Sequence, residues 1–113
     1  MGKRRVLATY FTDATGYRGD YLNDGNYWYS ELSKNPSALD FSALGDLPYL
    51  YPLKITYKGT SAYAKKGNVG AGGPNHPKID LHINLAKRIG FANVGLDFVT
   101  IEDVYKNIIS KSE

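Results

Sequence analysis

Apolar and polar positions alternate along much of this chain, and the alternation predicts a mostly β protein with one late helix. Residues 5–11 read as a strand that ends at the turn-prone Thr12–Gly16 segment. Residues 29–32 read as a second short strand. The clearest hairpin is formed by 53–57 and 60–64, two β-type runs around a Lys58-Gly59 turn. The second run leads into a glycine loop from Gly67 to Pro77, with four glycines and two prolines. Leu81, Leu85, Ala86 and Ile89 then recur at helical spacing, with Asp80 at the start and Gly90 as a stop signal. A further strand is expected at 98–101. Val104, Ile108 and Ile109 suggest an added helix over 102–113. Between the first two strands, residues 16–28 form a long loop rich in Gly, Asp, Asn and aromatics. Residues 33–46 suggest a turn with one helical turn, and Tyr49-Leu50-Tyr51 an exposed aromatic cluster.

The 113 residues amount to a single domain, 1–113, with 42% hydrophobic content and therefore an ordinary globular core. Ten tyrosines stand out, because tyrosine suits both strands and binding surfaces. The absence of cysteine excludes disulfides, thiol catalysis and cysteine-ligated metal. Net charge is +3, a mild surplus compatible with an anionic polymer. The lysines show no stripe along the chain, so no nucleic-acid partner is expected. No membrane segment is expected, and the apolar run after the basic start is too short for a signal peptide.

Several chemistries fail on spacing. Gly73 is followed by Pro74 and Asn75, so there is no phosphate-binding P-loop. Gly59-Thr60-Ser61-Ala62-Tyr63 lacks the second glycine of a nucleophile elbow. His76 and His82 match no zinc spacing, and neither a metal nor another cofactor is expected. What remains is carboxylate chemistry among aromatic and polar side chains. On the residues alone, Asp80 reads as a helix N-cap bonding the amides of His82 or Ile83, and Asn68 as a turn residue. His82 reads as an inconsequential surface histidine, and Asp13, Asp20 and Asp24 as solvated turn formers.

The run Gly67-Asn68-Val69-Gly70-Ala71-Gly72-Gly73-Pro74, then Ile79-Asp80-Leu81 and a short helix ending Arg88-Ile89-Gly90-Phe91, resembles the rare lipoprotein A family. Its relatives include the expansins, the barwin-like proteins and some cellulases. The opening Ala8-Thr9-Tyr10-Phe11 and the closing 94–101 fall where that family's first and last strands fall. The resemblance implies a six-stranded double-psi β-barrel with one or two short helices. It implies a domain acting on cell-wall polysaccharide, peptidoglycan rather than cellulose, as a monomer outside the cell or on a virion. The implied activity is lytic transglycosylase-like cleavage with Asp80 as general acid. Asn68 stands where the family usually carries a catalytic Asp, which leaves open a non-catalytic binding or loosening module, or an assembly domain of a larger protein. Glu31 is a candidate second carboxylate, with an exposed strand-edge charge as the plainer reading. Candidate sugar contacts are Thr9, Tyr10, Tyr27, Trp28 and His76, with Tyr10 and Trp28 expected at the surface.

Overall fold

The computed structural model describes residues 3–31, 47, 49–70 and 79–104. Six strands are present: β1 (Lys3–Phe11), β2 (Trp28–Glu31), β3 (Pro52–Tyr57), β4 (Thr60–Val69), β5 (Ile79–His82) and β6 (Asp97–Asp103). A single short helix among the described residues, α1 (Ile83–Arg88), follows β5 directly. The strands close into a barrel in the order β1-β5-β2-β4-β3-β6. β1 and β5 pair in parallel, as do β2 and β4, and the other four pairings are antiparallel. The two parallel pairs are nested along the chain, with β2 and β4 both lying between β1 and β5. Closure leaves the sheet without a free edge.

Period-two patterning fills the interior. In β3, Leu53, Ile55 and Tyr57 are buried while Pro52, Lys54 and Thr56 are half-exposed. Val6 and Ala8, Ile79 and Leu81, and Val99 and Ile101 supply the matching inward positions of β1, β5 and β6. Each fully buried Leu or Ile contributes roughly 2 kcal/mol relative to exposure. Lys66 sits among these inward positions at 0% exposure, its ammonium donating to the Leu47 carbonyl at 2.6 Å.

The β3–β4 hairpin turns at Lys58 and Gly59, with φ of 47° and 89°. Positive φ at both central residues is the signature of a type I′ turn, which favours Asn-Gly. Lys58→Asn is therefore expected to stabilise the protein by about 0.5 kcal/mol in urea unfolding.

Three expectations change. Gly67, Asn68 and Val69 belong to β4 and not to a loop, because β4 pairs with β2 out to that point. Asp80 and Leu81 belong to β5, held between β1 and β2, so the helix begins only at Ile83 and His82 is its N-cap. Glu102 and Asp103 extend β6 through pairing with β1 and β3, and are not helical. The rest of that expected helix, and the turn expected at 33–46, lie outside the described residues. The helix ends as expected, with Gly90 at φ 80° after the Ile89 cap.

Candidate active site

Strand register places four polar residues side by side. Thr9 of β1 pairs with Asp80 of β5, Asp80 with Ser30 of β2, and Ser30 with Asn68 of β4. The inward residues flanking Asp80, Ile79 and Leu81, are fully buried, so the polar row lies on the opposite, outward face. Alternation along β2 buries Tyr29 in the core and puts Ser30 in the row, and a register shift that skips Gly67 of β4 sets Asn68 opposite Ser30. Asp80 and Asn68 are thus not adjacent in the barrel; Ser30, 3% exposed, stands between them.

Asp80 is the centre of the row. The Thr9 hydroxyl donates to its Oδ1 at 2.7 Å. Burial pushes its carboxyl above the ordinary value, the Thr9 hydrogen bond pulls it back, and the charge of Asp13 pushes it further up. Asp80 does not cap the helix. That role falls to His82, whose Nδ1 accepts from the Asn84 amide at 3.3 Å.

Asp13 is the functional candidate that sequence reasoning missed. It follows β1 directly and is exposed, as a solvated turn former would be, yet its loop turns back toward β4 and β5. His82 Nε2 meets the Asp13 carbonyl oxygen at 3.0 Å, and the Asn68 amide reaches Asp13 Oδ2 at 3.4 Å. Further along the loop, the Leu22 amide donates to Ala14 O at 2.7 Å and the Tyr17 amide to Gly67 O at 3.2 Å. Gly16 packs so closely on β4 that a Cβ there would stand 1.9 Å from the Gly67 oxygen. A carboxyl four residues after Thr9, just past the strand end, was visible in the sequence. Its return to Asp80 was not, because that depends on contacts 55 and 69 residues away.

Asn68 is oriented by the same contacts. Its Oδ1 accepts from the Val69 amide at 3.0 Å, so its NH2 group faces Asp13. The other candidates divide. Thr9 is in the row, and Tyr10, beside it on β1, is 38% exposed. Tyr27 is half-buried against the core. Trp28 is 2% exposed and does not present the surface face expected of it. Its ring lies on Gly67, its indole N–H donates to Asp24 Oδ1 at 3.0 Å, and the Lys65 ammonium lies 4.7 Å from the ring centroid. The Asp24 carboxyl is lowered to about 2, first by that indole bond and then, against burial, by Asn26. His82, expected at the surface, is fully buried beneath the Asp13 loop. Glu31 ends β2 opposite Ile79 and Val69, one residue beyond the row. His76 lies outside the described residues.

Among the described residues no group of three or more His, Cys, Asp or Glu side chains could hold a metal ion. No described helix is long and apolar enough to cross a membrane. The arrangement offers a carboxyl that retains its proton more readily than usual, a second carboxyl across from it, and hydroxyl and amide groups between.

No family model and no curated protein matches the chain. The chain is similar to the solved structure of a Streptomyces papain inhibitor, at 15% identity and a TM-score of 0.59, over 88% of this chain and 92% of that one. At that identity the likeness shows the fold alone. The chain has a double-psi-like barrel fold, and its site is defined by its own residues.

Proposed function

We propose that the chain is a glycan-cleaving domain of the rare lipoprotein A type, acting on peptidoglycan outside the cytoplasm with Asp80 as general acid. The observation that carries this reading is the partly buried Asp80 carboxyl, hydrogen-bonded by Thr9 and raised by burial and by Asp13. A proton donor to a glycosidic oxygen must hold its proton near neutral pH. In the proposed step the leaving oxygen takes the Asp80 proton as the bond from the anomeric carbon to that oxygen breaks. The attacking hydroxyl, from the sugar itself or from water, gives its proton to Asp13.

One observation favours a second reading. Asn68 stands where the family resemblance expects an Asp, and its amide is held by Val69 and Asp13. Asn moves no proton at neutral pH, which suits a binding module that does not cut.

The test incubates wild type, Asp80→Asn, Asp13→Asn and Asn68→Asp with peptidoglycan sacculi and with cellulose, with mass spectrometry of the soluble fragments. Anhydro-sugar ends from wild type, lost in Asp80→Asn, are the expected result. Reducing ends carrying 18O from labelled water would instead assign hydrolysis, with Asp13 as base. Products from Asn68→Asp alone would make the wild-type chain a binder on a cleaving scaffold. No products from any protein, combined with inhibition of papain, would replace the glycan reading with an inhibitor like the structural neighbour.

A further inference from the structure

We infer that His82 is a positioning residue, whose neutral imidazole ties the Asp13 loop to the start of α1 and so sets the second carboxyl of the site opposite Asp80. The inference rests on the proposed reading for its catalytic consequence, but its geometry stands apart from any substrate. His82 is fully buried and uses both ring nitrogens. Nδ1 accepts the Asn84 amide proton and is therefore unprotonated. Nε2 must then carry the ring's one proton, and it donates to the Asp13 carbonyl oxygen at 3.0 Å. A single tautomer satisfies both bonds. The Phe11 ring packs edge-on against the imidazole, with centroids 5.3 Å apart, and fixes its plane.

The charged groups around the ring are few. Asp13 and Asp24 face it from the loop, each favouring the imidazolium. β1 presents Phe11, and α1 presents the Asn84 amide with no acidic residue in its first turn. Asp80 lies two positions earlier on β5. Burial outweighs the acids and holds the imidazole below its ordinary value. A second proton on the ring would go to Nδ1, turning it from acceptor to donor against the Asn84 N–H. The cap would be lost and the ring would reorient, taking the Asp13 tether with it. The neutral ring is thus a condition of the assembled site.

His82→Asn separates the two bonds, because an Asn at an N-cap still accepts the amide but is too short to carry the tether. Its first readout is the carboxyl 13C titration of Asp80, which is expected to fall toward the ordinary range as Asp13 moves away. Amide exchange at 13–17 should accelerate about ten-fold or more, with the amides of β3 and β4 unchanged. On sacculi, the turnover rate should drop about ten- to a hundred-fold with little change in KM. Unchanged Asp80 titration together with unchanged exchange at 13–17 would overturn the inference. Should the variant fail to fold, the wild-type protein supplies the test. 15N shifts must show the Nε2–H tautomer, and acidification through the His82 titration must release the 13–17 amides before the strands. The opposite tautomer, or release uncoupled from His82, would equally overturn it. Wild type inactive on sacculi would sink the glycan reading alone, since the titration and exchange readouts need no substrate.

Discussion

Asp80→Asn is expected to abolish glycan cleavage and, at neutral pH, to make the protein more stable. In the folded chain the Asp80 carboxyl is raised, with burial the leading cause, so its ionised form is less comfortable in the protein than in the unfolded chain. A raised carboxyl contributes stability that is fully present below the unfolded value of 3.8 and is lost as pH rises through the folded value. The wild type loses it in step with ionisation of the Asp80 carboxyl. The Asn variant never ionises, and its amide oxygen still accepts the Thr9 hydroxyl. A gain of roughly 1 kcal/mol, discounted for the solvent that reaches this half-buried site, corresponds to a few degrees in Tm. Thermal melts from pH 3 to 8 check the sign: the variant's advantage should grow with pH and vanish in acid. An advantage that shows no growth with pH anywhere in that range, together with an Asp80 13C titration in the ordinary range, would mean that Asp80 carries no strain, and the proton-donor role would lose its physical basis. A group kept at a cost to stability is what a site retained for chemistry looks like.

Gly67→Ala should give the largest loss of stability. A Cβ at Gly67 would stand 2.3 Å from Trp28 Cε3 and 2.9 Å from Cζ3. The indole cannot easily yield: it is buried, and moving it breaks the bond from its N–H to Asp24. Overpacking of this kind costs about 3 kcal/mol. Gly16→Ala presses on the same residue through a different contact, since its Cβ would meet the Gly67 carbonyl oxygen at 1.9 Å. Backbone cannot rotate away as a side chain can, so the 12–27 loop must lift off β4. A cost of about 2 kcal/mol is expected in urea unfolding, and the double variant should depart from the sum because both clashes involve residue 67. The two differ in their effect on the site. Gly16→Ala should also loosen Asp13 and lower turnover, whereas Ala at 67 acts first through Trp28. A cost within 0.5 kcal/mol for both would show that the loop does not dock on β4 as described.

Asp80 and His82 contribute opposite terms to the pH response of the protein. His82 is lowered in the folded state, so its contribution is present above the unfolded value of 6.5 and is lost as pH falls through the folded value. Asp80 works the other way. Comparing melts of His82→Asn and Asp80→Asn with wild type separates the two, because each variant should remove one slope and leave the other.

Much of the barrel was legible along the chain. Alternation marked β1, β3 and the start of β4, and Lys58-Gly59 marked their hairpin, because a strand with one buried face must repeat every second residue. Gly90 marked the end of α1, because its left-handed φ suits glycine. Boundaries failed where pairing overrode local composition. Glycine at 67 reads as loop, yet in the folded chain it is the one residue small enough to lie under Trp28. Asp80 reads as a cap, yet β1 and β2 extend β5 two residues past it and hand the cap to His82. Trp28 and His82 read as surface residues, and both are buried, because a loop that the sequence renders as polar and aromatic folds down over them.

By itself, the pattern along the chain determined a mostly β domain with a late helix and no cysteine chemistry, while the closed barrel and the choice of Thr9, Asp80 and Asn68 came from the family resemblance. The former follow from periodicity, composition and local turn preference, which are properties of neighbouring residues. Only the tertiary structure decided that Ser30 separates Asp80 from Asn68, that the Asp13 carboxyl meets the Asn68 amide, and that the His82 ring meets the Asp13 carbonyl oxygen. Each of those facts is set by strand register or by a hydrogen bond between residues dozens of positions apart. Register depends on which strands find one another when the barrel closes, and no local pattern carries that information.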